Sequence, residues 1–210
     1  MSTEIGSSDQ QKKNRKIILG IFGIPAGVLI LSSILYLLVE TKAVDLGTVN
    51  NGELVVPPLP FIDLSLSTVN GEHFDYNKPE PKWAFIVFGD YNCIGSCEKM
   101  LYVARQSITA LAKNMNRVRL IYVTTDGVIG DELQHRLDNE YIGIDVLSIN
   151  KDTIEALFAS SNAKPFLHDS FNVIDPRGWI MMQYAVENTD QATLNTLGKA
   201  VVKDMKRLIK

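Results

Sequence analysis

The sequence has few of the side chains that carry redox or metal chemistry, with only two cysteines and three histidines among its 210 residues. It also lacks a strong net charge, which is −3 at pH 7, and it has no basic patch beyond its N-terminal segment. Recognition of nucleic acid depends on clustered lysine and arginine, so a nucleic-acid partner is excluded. Neither cysteine belongs to a C-x-x-C motif, which argues against an efficient general disulfide reductase.

A long apolar segment lies near the N-terminus and has no charged residue between positions 17 and 39. At about 1.5 Å per residue it is long enough to cross a hydrocarbon layer of about 30 Å, so we predict one transmembrane helix over residues 17–39. A cleaved signal peptide is the alternative. The run is longer than a signal-peptide core and ends in Leu37-Leu38-Val39 without small residues, which favours an uncleaved anchor.

The charges on either side of this segment predict its orientation. Residues 1–16 form a polar tail that ends in four basic residues, whereas Glu40 and Asp45 follow the apolar run. The positive-inside rule places the tail in the cytoplasm and the rest of the chain outside. Residues 40–58 contain turn and proline signals and are predicted to be a linker.

Residues 59–210 have the length of one globular domain. A small hairpin around Asn70-Gly71 is expected first. Buried strands are predicted at 84–88, 119–125, 142–147, 171–174 and 179–185, and helices at 98–113, 131–139, 152–160 and 191–208. This order predicts an α/β fold, a thioredoxin-like mixed sheet with helices on both faces.

Both cysteines lie where a strand gives way to a helical pattern that begins near Cys93. The first turn of a helix favours thiolate over thiol. On a regular helix the C-x-x-x-C spacing separates the two Cβ atoms by about 5–6 Å. That spacing suits two thiolates on one soft metal, whose sulfurs stand about 4–4.6 Å apart, whereas a disulfide requires local distortion. The pattern therefore indicates a copper(I) or zinc site, with a small structural disulfide or two helix thiols of no special role as the alternatives.

Three motifs together resemble the Sco/SenC family of membrane-anchored copper chaperones. They are Phe88-Gly89-x-x-x-Cys93-x-x-x-Cys97, the strand end Thr125-Asp126, and the turn Asp175-Pro176-x-Gly178. The run from Cys93 to Gln106 is also similar to poorly characterised bacterial membrane proteins associated with cytochrome oxidase assembly. The resemblance covers about residues 52–210 in scattered motifs. It implies a thioredoxin-like domain outside the bacterial inner membrane, that is, in the periplasm.

The resemblance also implies a ligand set and partners. Family members bind copper(I) through both cysteines and a histidine shortly before the D-P-x-G turn, which makes Cys93, Cys97 and His168 the expected metal ligands. Asp126 matches an acidic residue of the family, with a loop or cap role as the alternative. The implied partners are the copper-centre subunit of cytochrome c oxidase and a thiol reductant. His135 is interpreted as a solvated residue and Met100 as a packing residue.

Two other functions stay open. The first is a thiol–disulfide oxidoreductase acting on exported proteins, with Cys93 and Cys97 as its redox pair; Lys164-Pro165 lies before the late strand, near where thioredoxin-like enzymes place a cis-proline. The second is a scaffold that uses the fold to bind an oxidase subunit, with the thiols only structural. We expect the protein to be an assembly factor that binds copper(I), handles the thiol redox state of the oxidase copper site, or does both.

Overall fold

The computed structural model describes residues 5–41, 50–165 and 169–209. The chain divides into two compact units, residues 1–49 and residues 50–210. In the first unit, helix α1 spans Ile5–Glu40. Its segment Lys12–Leu38 is, within the described residues, the one helix long and apolar enough to cross a membrane. The helix starts inside the polar segment that precedes the predicted span, and Pro25 lies within it.

The second unit alternates strands and helices. In chain order it contains β1 (Glu53–Pro60), β2 (Ser67–Thr68), β3 (Trp83–Gly89), α2 (Ser96–Ala110), β4 (Val118–Thr124), α3 (Asp131–Glu140), β5 (Asp145–Ser148), α4 (Lys151–Phe158), β6 (Ser170–Ile174), β7 (Trp179–Ala185) and α5 (Gln191–Leu208). Two helices begin at side-chain caps. Asn150 accepts a hydrogen bond from Asp152 N before α4, and Asp190 accepts from Ala192 N and Thr193 N before α5.

The strands form one seven-stranded sheet in the order β1-β7-β6-β3-β4-β5-β2. The pairs β3–β4 and β4–β5 are parallel, and the remaining pairs are antiparallel. In β3, Phe85 and Val87 face one core while Ala84 and Ile86 face the other. A strand buried on both faces explains the continuous apolar run in the sequence.

Helices cover both faces of the sheet, as predicted. Helices α2, α3 and α5 pack on one face, and α4 packs on the other together with Phe61, Leu66 and Tyr76. The mixed sheet flanked by helices confirms the predicted fold class. The parallel strands β3 and β4 both end at the edge where the cysteine segment begins.

Strand β1 lies largely inside the segment predicted to be a linker. Residues 42–49 of that segment fall outside the described residues, but Glu53–Pro60 pairs with β7 and buries Val55 and Leu59. The prediction of a linker was therefore wrong from residue 53 onward. The prolines suggested a linker, but an edge strand tolerates proline. The register shift between Leu54 and Leu59 accommodates Pro57 and Pro58.

The predicted hairpin is present in reduced form. Phe61–Asp63 forms a 3-10 turn instead of a strand. Ser67 forms an isolated antiparallel bridge with His73 around the turn that contains Gly71, whose φ is +84°. The alternating apolar pattern of residues 61–66 thus reflects an irregular segment that buries Phe61 and Leu66.

The start of β1 is fixed to α5 by one buried carboxylate. Asp204 Oδ2 accepts hydrogen bonds from Asn51 N at 2.7 Å, Gly52 N at 3.2 Å and Tyr184 Oη at 2.9 Å. Its Oδ1 accepts from Asn51 Nδ2 at 2.6 Å. Burial alone would raise the pKa of Asp204, but these hydrogen bonds outweigh it and hold the pKa below its usual value of 3.8.

Candidate functional site

Cys93 and Cys97 are joined by a disulfide, with their Cα atoms 5.1 Å apart. Cys97 lies in the first turn of α2, but Cys93 lies in the preceding loop, because the helix begins only at Ser96. The expectation that both thiols share a regular helix was therefore wrong. The distortion expected for a disulfide is visible in the backbone, where φ is +45° at Cys93 and +66° at Gly95.

The side chain of Asp90 shapes the loop that carries Cys93. Asp90 Oδ1 accepts hydrogen bonds from Asn92 N at 3.0 Å and from Cys93 N at 2.7 Å. An aspartate that accepts from the backbone two and three residues ahead stabilises a turn in place of a helical start. Asp90 thus delays the helix and sets Cys93 on the loop.

Two residues from distant parts of the chain hold the same loop in place. Asp126, after β4, accepts a hydrogen bond from Tyr91 N at 2.7 Å. Arg136, on α3, donates from Nη2 to Asn92 O at 3.1 Å and to Cys93 O at 2.9 Å, and its Nη1 lies 3.0 Å from Glu98 Oε1. The acidic residue singled out in the sequence therefore has a loop role beside the cysteines.

A glycine and a tyrosine line the sheet side of the disulfide. A Cβ atom on Gly89 would lie 2.8 Å from Cys97 Sγ and would overlap the Tyr122 hydroxyl. Tyr122 Oη donates a hydrogen bond to Asp90 O. Burial, with the nearby Asp90 and Asp126 carboxylates, raises the pKa of Tyr122 well above its usual value, so this hydroxyl remains a donor.

The two cysteines differ in their exposure to solvent. Cys93 is 0% exposed, whereas Cys97 is partly exposed. Exposed apolar side chains lie in the loops that follow β3 and β4: Ile94 is 69% exposed, Val128 54% and Tyr91 44%. An external thiol or a docked partner would therefore meet Cys97 before Cys93.

Not all predicted ligands can be placed. His168 lies outside the described residues. Within the described chain, no group of three or more His, Cys, Asp or Glu side chains is arranged to hold a metal ion. His135 is exposed on α3 and His73 is exposed beside the small hairpin, and neither belongs to such a group. Met100 is fully buried in the core, which confirms its interpretation as a packing residue.

The strand register shows where the segment after His168 leads. Ala84 pairs with Ile174 and Ile86 pairs with Asn172, so β6 runs antiparallel to β3. The first residue of β6, Ser170, therefore lies toward the end of the sheet where β3 stops and the cysteine loop starts. By the same topology the Asp175–Gly178 turn lies at the opposite end of the sheet.

Sequence reasoning missed Asp90, Tyr122 and Arg136 as supports of the site. The spacing Asp90-x-x-Cys93 is a local signal typical of a side-chain-stabilised turn and was available. Tyr122 and Arg136 have no local signal, because 32 and 43 residues separate them from the backbone oxygens they contact. The cis peptide bonds of the described chain precede Pro57 and Pro79, not Pro165.

The fold and the cysteine pair define the class of protein as thioredoxin-like, with a disulfide at the junction of a strand and a helix. Residues 83–210 match the model of a family described as transmembrane-like, thioredoxin-like, C-terminal domain. The match covers more than half of the chain, and the protein belongs to this family. No curated protein sequence matches the chain.

Several solved structures are similar to this chain. A SCO1/SenC family lipoprotein from Bacillus anthracis is 20% identical with a TM-score of 0.50, covering 73% of this chain and 98% of its own. Yeast Sco1 with copper bound is 17% identical with a TM-score of 0.49, covering 76% and 95%. BsSco, a member of the Sco family of cytochrome c oxidase assembly proteins described with a disulfide switch, is 18% identical with a TM-score of 0.44, covering 73% and 97%. Because the identity is only 20%, the Bacillus anthracis structure confirms the resemblance to Sco/SenC proteins at the level of the fold alone.

Proposed function

We propose that this protein is a membrane-anchored assembly factor for cytochrome c oxidase, in which Cys93 and Cys97 hold copper(I) as cargo for the copper-centre subunit. The observation that carries the proposal is the pair of adjacent sulfurs, on one buried and one partly exposed cysteine, at the sheet end of a thioredoxin-like domain. Sulfur ligands select copper(I) over hard cations. The Sco/SenC resemblance of the cysteine motif supplies the expected cargo and partner.

Copper loading requires that the disulfide first be opened. A dithiol reductant would attack Cys97 Sγ, release Cys93 as a thiol, and then close its own disulfide as Cys97 leaves. Two electrons and two protons pass to the pair. Copper(I) then binds two thiolates with loss of two protons. The same chemistry would let the reduced pair keep the copper-ligand cysteines of the oxidase reduced.

His168 is the proposed third ligand. It lies two residues before Ser170, and β6 starts toward the sheet end that carries the cysteine loop. A neutral imidazole nitrogen is a suitable third donor for copper(I) beside two thiolates.

Copper uptake by the reduced full chain in detergent tests the proposal. We expect about one copper(I) per chain, lost in Cys93→Ser and in Cys97→Ser and bound at least about tenfold more weakly in His168→Ala. His135→Ala, an exposed histidine on α3, is the matched control and should leave uptake unchanged. If the reduced wild-type chain takes up no copper, the metal role is excluded.

A thiol–disulfide oxidoreductase is the second candidate, favoured by the disulfide and by the partial exposure of Cys97. Turnover with a disulfide substrate, measured alongside the reduction potential of the pair, separates it from a copper chaperone. Catalytic turnover without copper uptake would favour the oxidoreductase. If serine at both cysteines leaves oxidase assembly intact, a scaffold role replaces both proposals.

The placement that accompanies this function is also a proposal. Residues 1–16 would lie in the bacterial cytoplasm, residues 17–39 would cross the inner membrane, and the domain would occupy the periplasm. The N-terminal apolar helix and the transmembrane-like family support membrane anchoring. The basic tail supports the orientation.

A further inference from the structure

A groove of about 740 Å³ runs between α2 and α5, outside the cysteine site. Its floor is apolar. The floor and walls include Tyr102, Val103 and Ser107 from α2, and Leu194, Gly198 and Val202 from α5. Gly198 keeps the groove open, because an added Cβ would meet only Ser107 Oγ, at 3.8 Å.

The groove contains a polar atom without a partner. Ser107 is 2% exposed, and its Oγ has no hydrogen-bond partner among the described residues. This hydroxyl is closed to solvent, so it offers no hydrogen bond to a docked partner. The groove therefore offers apolar contact, and its charged groups lie on the rim.

One rim of the groove is positively charged. Lys199, Lys203 and Lys206 line it at helical positions i, i+4 and i+7, which places them along about 10 Å of one face of α5. All three are exposed, and none forms an ion pair within the part of the chain that the structure describes. No carboxylate of the described residues lines the groove, although the whole chain has a net charge of −3. The rim therefore complements an acidic partner.

The groove is close to the disulfide along the same helix. Tyr102, at its near end, lies five residues after Cys97, or about 7.5 Å along the axis of α2. Lys99 Nζ donates to Thr189 O at 3.1 Å and to Thr189 Oγ1 at 2.9 Å, which ties the loop before α5 to the first turn of α2. A segment bound in the groove would thus be held near Cys97, the partly exposed cysteine.

We propose that the α2–α5 groove docks an acidic amphipathic helix of a partner protein. The apolar face of that helix would lie on Val103, Leu194 and Val202, and its carboxylates, spaced i, i+4 and i+7, would face the three lysines. The row of lysines along apolar lining residues matches an amphipathic helix, which presents carboxylates and apolar side chains side by side along its length. The inference does not rest on copper binding.

Binding of a designed peptide to the full chain in detergent micelles tests the proposal. The probe is a helical peptide with leucines on one face and glutamates at i, i+4 and i+7 beside them, and its affinity is measured by calorimetry. A peptide of the same composition with the glutamates scattered around the helix is the control. We expect the scattered peptide to bind at least about tenfold more weakly, and the binding of the designed peptide to weaken with added salt.

Two sets of variants separate charge from shape. The triple change Lys199→Gln, Lys203→Gln and Lys206→Gln should lower the affinity for the designed peptide at least about tenfold. The control is the double change Lys113→Gln and Lys164→Gln, at exposed lysines outside the groove, which should leave the affinity unchanged. Gly198→Leu should lower the affinity to a similar extent by filling the groove. The variant should keep its fold, because leucine is a better helix former than glycine. Equal affinity for the two peptides, or unchanged binding in Gly198→Leu, would overturn the proposal.

Reconstitution in nanodiscs tests whether the groove binds an anionic membrane surface instead of a helix. Amide exchange of α5 is compared in discs of phosphatidylcholine and in discs containing phosphatidylglycerol, each with and without the designed peptide. Protection of α5 by the peptide in both lipids supports the proposal. Protection by phosphatidylglycerol alone, with no effect of the peptide, would assign the groove to the membrane surface instead.

Discussion

At the scale of single residues, the two cysteines of the disulfide are unequally exposed. Cys93 is fully buried in the loop held by Asp90 and Arg136, and Cys97 is partly exposed. A thiol attacks the sulfur that it can reach, since access controls thiol–disulfide exchange together with acidity. Cys97 is therefore the sulfur expected to form a mixed disulfide with a reductant or partner.

Single-cysteine variants test this inequality. Cys93→Ser leaves the exposed thiol and Cys97→Ser leaves the buried one, so we expect the former to react with an aromatic disulfide reagent at least about tenfold faster. The release of the coloured thiolate measures the rate. Equal rates in the folded variants would contradict the assignment, and equal rates in urea are the control that both thiols are intact.

The site has no room for a side chain at Gly89. In Gly89→Ala the new methyl group would meet Cys97 Sγ and the Tyr122 hydroxyl. We expect a loss of about 1–3 kcal/mol in the free energy of unfolding, because overpacking displaces well-ordered neighbours. Urea denaturation measures it. Gly198→Ala is the matched control, and there we expect a gain of about 0.5–1 kcal/mol, since alanine suits a helix interior better than glycine.

At the scale of elements, the sequence predicts regular segments better than irregular ones. Leu194, Leu197 and Val201 repeat at helical spacing, and α5 spans the predicted residues 191–208. Strand β1 was missed because prolines at an edge strand look like a linker. The cysteine geometry was missed because the helix start depends on a side-chain turn at Asp90 and on contacts from α3, which local periodicity does not contain.

The attachment of β1 to α5 depends on a charged Asp204. Its folded-state pKa lies below 3.8, so the charge stabilises the fold above about pH 4, and this contribution is lost as the pH falls through the lower folded-state value. We expect Asp204→Asn to lower the free energy of unfolding by about 2–3 kcal/mol near pH 7, because it replaces buried hydrogen bonds to a charged group with weaker ones.

The pH dependence of urea unfolding checks this attachment. The stability difference between the wild type and Asp204→Asn should be constant from about pH 7 to 5 and should shrink below about pH 4. Asp63→Asn, at an exposed carboxylate in the same unit, serves as the control and should change stability little at any pH. A difference that grows on acidification would contradict the assigned sign.

At the scale of the whole molecule, the proposed orientation has a direct test. In intact cells, a membrane-impermeant phosphine followed by an impermeant maleimide should label the Cys93/Cys97 pair, because the domain is expected outside the inner membrane. A chain with both cysteines changed to serine and with Ser8→Cys in the tail should be labelled only after permeabilisation. The reverse pattern would place the domain in the cytoplasm, where thiols are kept reduced.

The two borders of the sheet have a further consequence for a protein held in a crowded membrane plane. One border is β1, in which Pro57, Pro58 and Pro60 have no N–H to offer, and the other is β2, which is only two residues long. Neither is a good template for a strand from a neighbouring copy. Tethered molecules can thus accumulate at high local concentration without joining into aggregates, which leaves the sulfur-bearing end of each free to meet a different protein.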